Sequence, residues 1–312
     1  MDFKRYLQNI ELSPSTREMY YMHTMNFISF LDKDNTEIEN CTEKEIMLYL
    51  QSLQKNEISQ ATKKLRIYAI KHFFDYQIET GIRTDNPAKR IKIKGTVKQK
   101  VYPSITTQEL QSIYQNYEIP KMDDKRSHHN WFDNYRISRE RNKVILGLLI
   151  YQGITTTEIG RILLEDLDLR NGKIDIRGGR IGKDRTMELK SHQIMDLMEY
   201  QYKTRAELLK YQNDMETKKL FLSMPPSGKL KTESDETLHI FKRLTKELKE
   251  QYPKLINLQH IRTSVIVSWL KKYNLRQVQY KAGHKNIYAT ELYLVNDIDD
   301  LQTEINQYHP LQ

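Results

Sequence analysis

The chain has 312 residues, enough for two domains of ordinary size, and an apolar content of 38% that supports normal cores. No apolar run approaches the ~18 residues of a membrane span, the start Met1-Asp2-Phe3-Lys4-Arg5 lacks a signal-peptide core, and the lone Cys41 excludes an intramolecular disulfide framework, so a soluble cytoplasmic protein is expected. A net charge of +9 and a pI near 9.2 favour a polyanionic partner.

The first hundred residues read as helical. Ser15 or Thr16 can cap a helix whose apolar positions Tyr20, His23, Phe27, Phe30 and Leu31 recur at helical spacing. Thr42-Glu43-Lys44-Glu45 is a capping box, in which the Thr hydroxyl and the Glu carboxylate satisfy free backbone donors as a second helix begins. A third helix starts near Gln60, is expected to bury Ala61, Leu65, Tyr68, His72, Phe73 and Tyr76, and stops at Gly81; Asn86-Pro87 marks the next break. Between Gln60 and Lys100 eleven Lys or Arg stand against three acids (Asp75, Glu79, Asp85). Lys63, Lys64, Arg66, Lys71, Lys89, Arg90, Lys92 and Lys94 are therefore candidate contacts to a phosphate backbone, the alternative being a solvated helix face with a basic tether.

Residues 88–104 are Lys-rich and aperiodic, which suggests an extended linker, and a second capping box at Thr106-Thr107-Gln108-Glu109 opens the next domain. Lys121 to Arg141 is polar and expected to be a loop, with His128 and His129 on its surface rather than in a metal site. Asn142 to Gln152 reads as a buried helix, Thr157 to Leu163 as another. Lys173–Arg177 and Thr186–Leu189 alternate in polarity as strands do, around the glycine-rich basic turn Gly178 to Arg185. Helices follow from Gln193, from about Ser234, and around Arg262, Arg276 and Tyr293. The composite is mainly α with a small β-sheet.

Two stretches near the end carry chemistry: Gln259-His260-Ile261-Arg262 on a segment that reads as a buried helix, and Gly283-His284-Lys285-Asn286-Ile287-Tyr288-Ala289-Thr290-Glu291-Leu292-Tyr293. Breaking a phosphodiester with a protein nucleophile needs a rigid cation for the charge on the non-bridging oxygens, and arginine's planar fork supplies two donors at once. A phenol must lose its proton as it attacks, and the departing sugar oxygen needs one from a general acid. These residues resemble the carboxy-terminal active-site motifs of the tyrosine recombinase (phage integrase) family.

The resemblance implies a helical-bundle, SAM-like core-binding domain over residues 1–87, a basic linker over 88–104 and a mixed α+β catalytic domain with a tail over 105–312. It implies a site-specific DNA recombinase, the integrase of a mobile element, that cleaves and rejoins DNA through a 3′-phosphotyrosine without metal or cofactor. Its partners would be double-stranded DNA gripped in a C-shaped clamp, three further copies forming a tetramer on two DNA sites, and accessory proteins, with no membrane involved. Tyr293 takes the place of the nucleophile, His284 that of a donor to the scissile phosphate, and Arg262 that of the second family arginine. Tyr293 as a packed aromatic is the structural alternative in a chain with 20 tyrosines.

The chain departs from the family pattern at three places. Gln259 stands where the family has a histidine that can shuttle protons, and His260 is displaced from it by one position, about 100° of helix rotation. Thr155, in Gly153-Ile154-Thr155-Thr156-Thr157-Glu158, holds the place of the first family arginine; Arg139, Arg141, Lys143 and Arg161 are possible substitutes, and each reads equally as surface charge. In the turn, Lys183 is the expected general acid, with Arg180 the alternative. Thr155 and Gln259 also suit a second reading, a non-catalytic DNA-binding protein descended from a recombinase, while a type IB topoisomerase would share the phosphotyrosine. A tail helix near Ile298, Leu301 and Ile305 would pack on a neighbouring subunit or on its own domain.

Overall fold

A computed structural model describes residues 2–55, 58–93, 102–180, 182–224 and 233–294. Residues 94–101 of the expected linker, Lys94 among them, and the tail beyond Leu294 lie outside the described residues. The chain divides into two compact units, Met1–Lys100 and Val101–Gln312.

The first unit contains α1 (Phe3–Asn9), α2 (Pro14–Lys33), α3 (Glu43–Lys55) and α4 (Gln60–Glu79). Helix α2 is capped two residues before the first expected position: the Ser13 hydroxyl accepts from the Thr16 amide, and Pro14, whose missing N–H costs nothing there, occupies the first turn. The expected cap at α3 forms in part: the Glu45 carboxylate accepts from the Thr42 amide at 2.9 Å, while the Thr42 hydroxyl accepts from the Lys44 amide at 3.2 Å rather than from the Glu45 amide. Helix α4 buries two faces: Phe73, with Leu65 and Tyr76 packed beside it, meets the second cluster as expected, and a further stripe was not expected. Lys63, Ile67, Ile70, Phe74 and Gln77 form that stripe, whereas Tyr68 is 55% exposed and Ala61 is exposed. The stripe escapes sequence reading because a lysine and a glutamine close its two ends. Phe27, Leu31, Tyr49 and Phe74 fill one core, and a second cluster sets Phe3 edge-on to Phe73 with ring centres 5.2 Å apart. Ala88 and Ile91, within the stretch expected to be a linker, are buried in the first of these cores.

The second unit contains α5 (Thr107–Gln115), α6 (Phe132–Tyr151), α7 (Thr156–Ile159), strands β1 (Leu167–Asp168), β2 (Lys173–Ile176) and β3 (Arg185–Glu188), then α8 (Ser191–Glu199), α9 (Arg205–Leu209), α10 (Glu233–Gln251), α11 (Leu258–Leu270), α12 (Leu275–Ala282) and α13 (Tyr288–Glu291). The strands form an antiparallel meander in the order β1-β2-β3, with Ile174 opposite Met187 and Ile176 opposite Arg185. Thr106 makes the full capping box with Glu109 at the head of α5. Helix α6 begins ten residues earlier than periodicity indicates, taking in part of the expected loop. Its polar first half is held by tertiary bonds: Arg139 donates to the Glu118 carbonyl, and Arg141 to the Asn142 side chain and the Leu222 carbonyl. A continuous core spans α5, α6, the sheet, α8, α10 and α11, and the apolar faces of α6 and α11 meet within it. No described helix is long and apolar enough to cross a membrane.

Candidate active site

The site lies where the N-terminal half of α11, the end of α12, the β2–β3 hairpin and the α6–α7 turn converge. The Asn257 side chain caps α11 by accepting from the His260 amide at 2.9 Å, and ten of the helix's thirteen residues are buried. Arg262 is among them. Its guanidinium donates to the carbonyls of Gly153 and, at 2.8 Å, Ala282, and to His284 Nε2 at 3.2 Å. Burial draws its pKa down, partly offset by the facing Tyr293 phenol and the Glu158 carboxylate, which lies 3.9 Å away.

Helix α12 ends at Gly283, whose φ of +70° is the left-handed conformation a helix stop commonly uses. A Cβ there would stand 2.3 Å from Arg185 Nη1, so both the backbone and the neighbour require glycine. The next residue, His284, is fixed on every side. Its amide donates to the Gln279 carbonyl, Gln279 Nε2 donates back to its carbonyl, and it pairs across an isolated bridge with Gly182 of the hairpin. His284 Nδ1 lies 2.9 Å from the hydroxyl of Thr290, which is fully buried on α13. The Tyr293 ring stacks on the imidazole, with centres 5.7 Å apart and planes 16° from parallel. The intervals of six and nine residues after His284 thus have a physical reading: one turn of helix carries the hydroxyl that orients the imidazole and, beyond it, the phenol that covers it.

Burial, followed by the positive charges of Arg262 and Arg185, lowers the His284 pKa to about 4, so the imidazole is neutral near pH 7. Because a guanidinium has no lone pair to offer, the nitrogen facing Arg262 must accept, which places the proton on Nδ1. The expected role of His284, donating to a phosphate, therefore needs the other tautomer. The Thr290 hydroxyl permits it, since it can either accept from Nδ1 or donate to it.

Glu158 organises the opposite wall. It is 7% exposed and accepts from the Thr155 amide at 2.7 Å, the Thr155 hydroxyl at 3.0 Å and Arg185 Nη1 at 2.6 Å. Burial pushes this carboxyl up, but the hydrogen bonds and charge of Arg185, with the Thr155 amide and Arg262, leave it below its ordinary value. Thr155 is thus the N-cap of α7 in a complete capping box, a pattern the sequence contains and periodicity alone passes over. Arg185 also donates to the Lys281 carbonyl, tying the strand to α12.

The structure brings Tyr293, His284, Arg262 and Thr155 together around Glu158 and Arg185. Lys183 joins them through its backbone, its amide donating to the Gly283 carbonyl at 2.9 Å, with its side chain exposed. Arg180 is exposed on the same hairpin, and its carbonyl accepts from Lys285 Nζ at 2.6 Å. Gln259 is exposed on α11, one turn before Arg262. His260, by contrast, is fully buried. Its Nδ1 accepts from the Ile256 amide, its Nε2 contacts the Pro103 carbonyl at 2.5 Å, and its ring stacks on Tyr102. Arg139 and Arg141 are committed to the bonds already described, and the Lys143 ammonium sits over the Tyr114 ring at 5.6 Å. Among the DNA-contact candidates, Lys63 is only 6% exposed, whereas Lys89, Arg90 and Lys92 are exposed. Arg66 donates to the Tyr49 hydroxyl, Lys71 lies over Tyr68 at 5.9 Å, and Lys64 is half-buried. Among the described residues no cluster of metal-ligating side chains occurs, and His128 and His129 are exposed.

Over residues 104–298 the chain matches the Phage integrase family, and over residues 1–83 the Phage integrase N-terminal SAM-like domain. The chain belongs to the phage integrase family, that of the tyrosine recombinases. It is 25% identical over 313 residues to the tyrosine recombinase XerC of Oceanobacillus iheyensis, covering 99% of this chain and 94% of that one. It is 24% identical over 298 residues to the TnP I resolvase of Bacillus thuringiensis, covering 93% of each. Among solved structures it resembles the XerH site-specific recombinase bound to palindromic difH substrate, with a TM-score of 0.65, 19% identity, and coverage of 92% of this chain and 78% of that one. The fold is that of a tyrosine recombinase, and the family's function is site-specific DNA recombination.

Proposed function

We propose that this recombinase cleaves and rejoins DNA through Tyr293, without a metal, on behalf of a mobile element. The carrying observation is the Tyr293 ring stacked on a neutral His284 with its phenol facing the buried Arg262 guanidinium. In the reaction the Tyr293 oxygen attacks the scissile phosphorus, the phenol proton passes to water, and the bond to the 5′ oxygen breaks as that oxygen takes a proton from the general acid. A 3′-phosphotyrosine and a 5′ hydroxyl result, and a partner strand's 5′ hydroxyl reverses the step to rejoin the DNA.

Arg262 would meet the charge that develops on the phosphate. An incoming phosphate oxygen would replace the contact between Arg262 and His284. That exchange frees Nε2, and with Thr290 turning to donate, the imidazole can donate to the phosphate as expected. Lys183, on the exposed hairpin beside His284, would supply the proton to the departing 5′ oxygen; Arg180 is the alternative, though a guanidinium with a pKa above ~12 is a poor acid. Lys64, Lys71, Lys89, Arg90 and Lys92 would hold the DNA backbone from the first unit. Assembly as a tetramer on two DNA sites is supported by one structural neighbour, a lambda integrase tetramer bound to a Holliday junction.

The test uses DNA from the ends of the host element, nicked near the crossover so that cleavage becomes irreversible. Wild type should yield a covalent protein–DNA band on a denaturing gel, and Tyr293→Phe should yield none while binding the same DNA. Binding by wild type to its genuine site without any adduct would sink the catalytic reading and leave a DNA-binding relic.

A further inference from the structure

We infer that Arg161 is a phosphate-contacting catalytic residue, supplying the second cation that Thr155 does not; this rests on the catalytic reading proposed above. A phosphoryl transition state spreads charge over non-bridging oxygens that need donors from more than one direction. The buried guanidinium groups are largely spent on holding the site. Arg262 gives bonds to two carbonyls and to His284, and Arg185, with a side chain of 0% exposure, serves Glu158 and the Lys281 carbonyl. Thr155 is neutral, and its hydroxyl is engaged by Glu158. Arg139, Arg141 and Lys143 on α6 are committed elsewhere.

Arg161 differs from all of these. It is exposed just past α7, and among the described residues its guanidinium makes no hydrogen bond or ion pair. The acids on its own loop, Glu165 and Asp166, pair with Arg177 instead. Its Nη1 lies 2.0 Å from where a Cβ of Gly179 would stand, so the guanidinium occupies the space that this glycine, with φ of +61°, leaves open. The hairpin carrying Gly179 is the one joined to the reacting residues. Gly182 donates to the Gly178 carbonyl at 3.0 Å and pairs with His284, Lys183 donates to Gly283, and Lys285 donates to Arg180. Arg161 therefore presents an uncommitted fork on the hairpin that borders His284.

The experiment measures adduct formation on the nicked substrate by wild type, Arg161→Ala, Arg161→Lys and the double variant Arg161→Ala/Thr155→Arg. It is repeated with a methylphosphonate at the scissile position, whose methyl group replaces a charged oxygen. Arg161→Ala should lose roughly 10²–10³-fold in rate on the phosphate while keeping its DNA affinity and Tm, as expected for loss of one charged donor. Arg161→Lys should lie between, since a point charge replaces a fork. On the neutral methylphosphonate the gap between wild type and Arg161→Ala should close, and Thr155→Arg should recover part of the rate on the phosphate. Unchanged cleavage by Arg161→Ala, or a defect that the neutral substrate does not relieve, overturns the inference. No adduct from wild type would instead sink the catalytic reading itself.

Discussion

At the scale of single residues, the site is a set of charges that neutralise one another at close range. Glu158 sits between Arg185, at 2.6 Å, and Arg262, at 3.9 Å, and takes the Thr155 amide and hydroxyl as well. Removing one partner of such a buried pair strands the other, which is costlier than the pair's net worth. The same two guanidinium groups, after burial itself, hold the His284 pKa near 4 in the folded chain, against about 6.5 when unfolded. Between those values the unfolded chain binds more protons than the folded one, so stability rises with pH across that window and falls as acid is added. Wild type is expected to lose stability as pH drops from about 6.5 toward 4, and His284→Asn to lose less over the same range. Denaturant midpoints at several pH values check this. Because His23 and His72 are also lowered, chiefly by burial, the comparison with the variant is what isolates His284, and equal slopes would place its titration outside the window.

At the scale of elements, helix ends place the chemistry. The end of α12 turns at Gly283 and delivers His284, the start of α7 delivers Glu158, and the end of α6 turns at Gly153, whose carbonyl receives Arg262. Gly153 has φ of +56°, and a Cβ there would stand 3.0 Å from both the Trp269 ring and the Val265 side chain. Gly153→Ala should therefore cost at least about 1–2 kcal/mol from the left-handed backbone alone. That corresponds to a Tm lower by roughly 2–8 °C in a unit of this size. Cleavage should also slow, because the carbonyl that orients Arg262 moves. A Tm within a degree of wild type would show that the turn relaxes freely. The fates of Gln259 and His260 follow from the same geometry. One step along a helix turned the histidine from the open side of α11 into the core, where it ties Tyr102 and Pro103 to the helix instead of facing a substrate.

At the scale of the whole molecule, two units each carry their own core. The buried clusters of the first unit draw on residues from Phe3 to Ile91, and that of the second on residues from Ile105 to Ala282. Each unit has a core of its own, so calorimetric unfolding should depart from a two-state transition. The measured enthalpy should exceed the van't Hoff value, or two peaks should resolve. A single transition with equal enthalpies would mean that the units unfold as one.

The sequence by itself determined the family chemistry and much of the frame. The spacing of Gly283, His284, Thr290 and Tyr293 is local, within eleven residues, so a helix stop and one helical turn are enough to bring these groups together. The helix caps at Thr42 and Thr106 were legible for the same reason, and the alternation of β2 and β3 showed the hairpin. Tertiary structure decided everything that depends on partners distant in the chain. The further stripe of α4, with Lys63 and Gln77 at its ends, and the polar first half of α6 are held by contacts that no periodicity reports. It also decided which cations are spent and which are left. Arg139, Arg141 and Arg185 look alike in sequence to Arg161, but the first three are consumed by carbonyls and carboxylates brought in from elsewhere. Only the folded chain sets the Arg161 guanidinium against Gly179, on the hairpin whose Lys183 amide donates to Gly283.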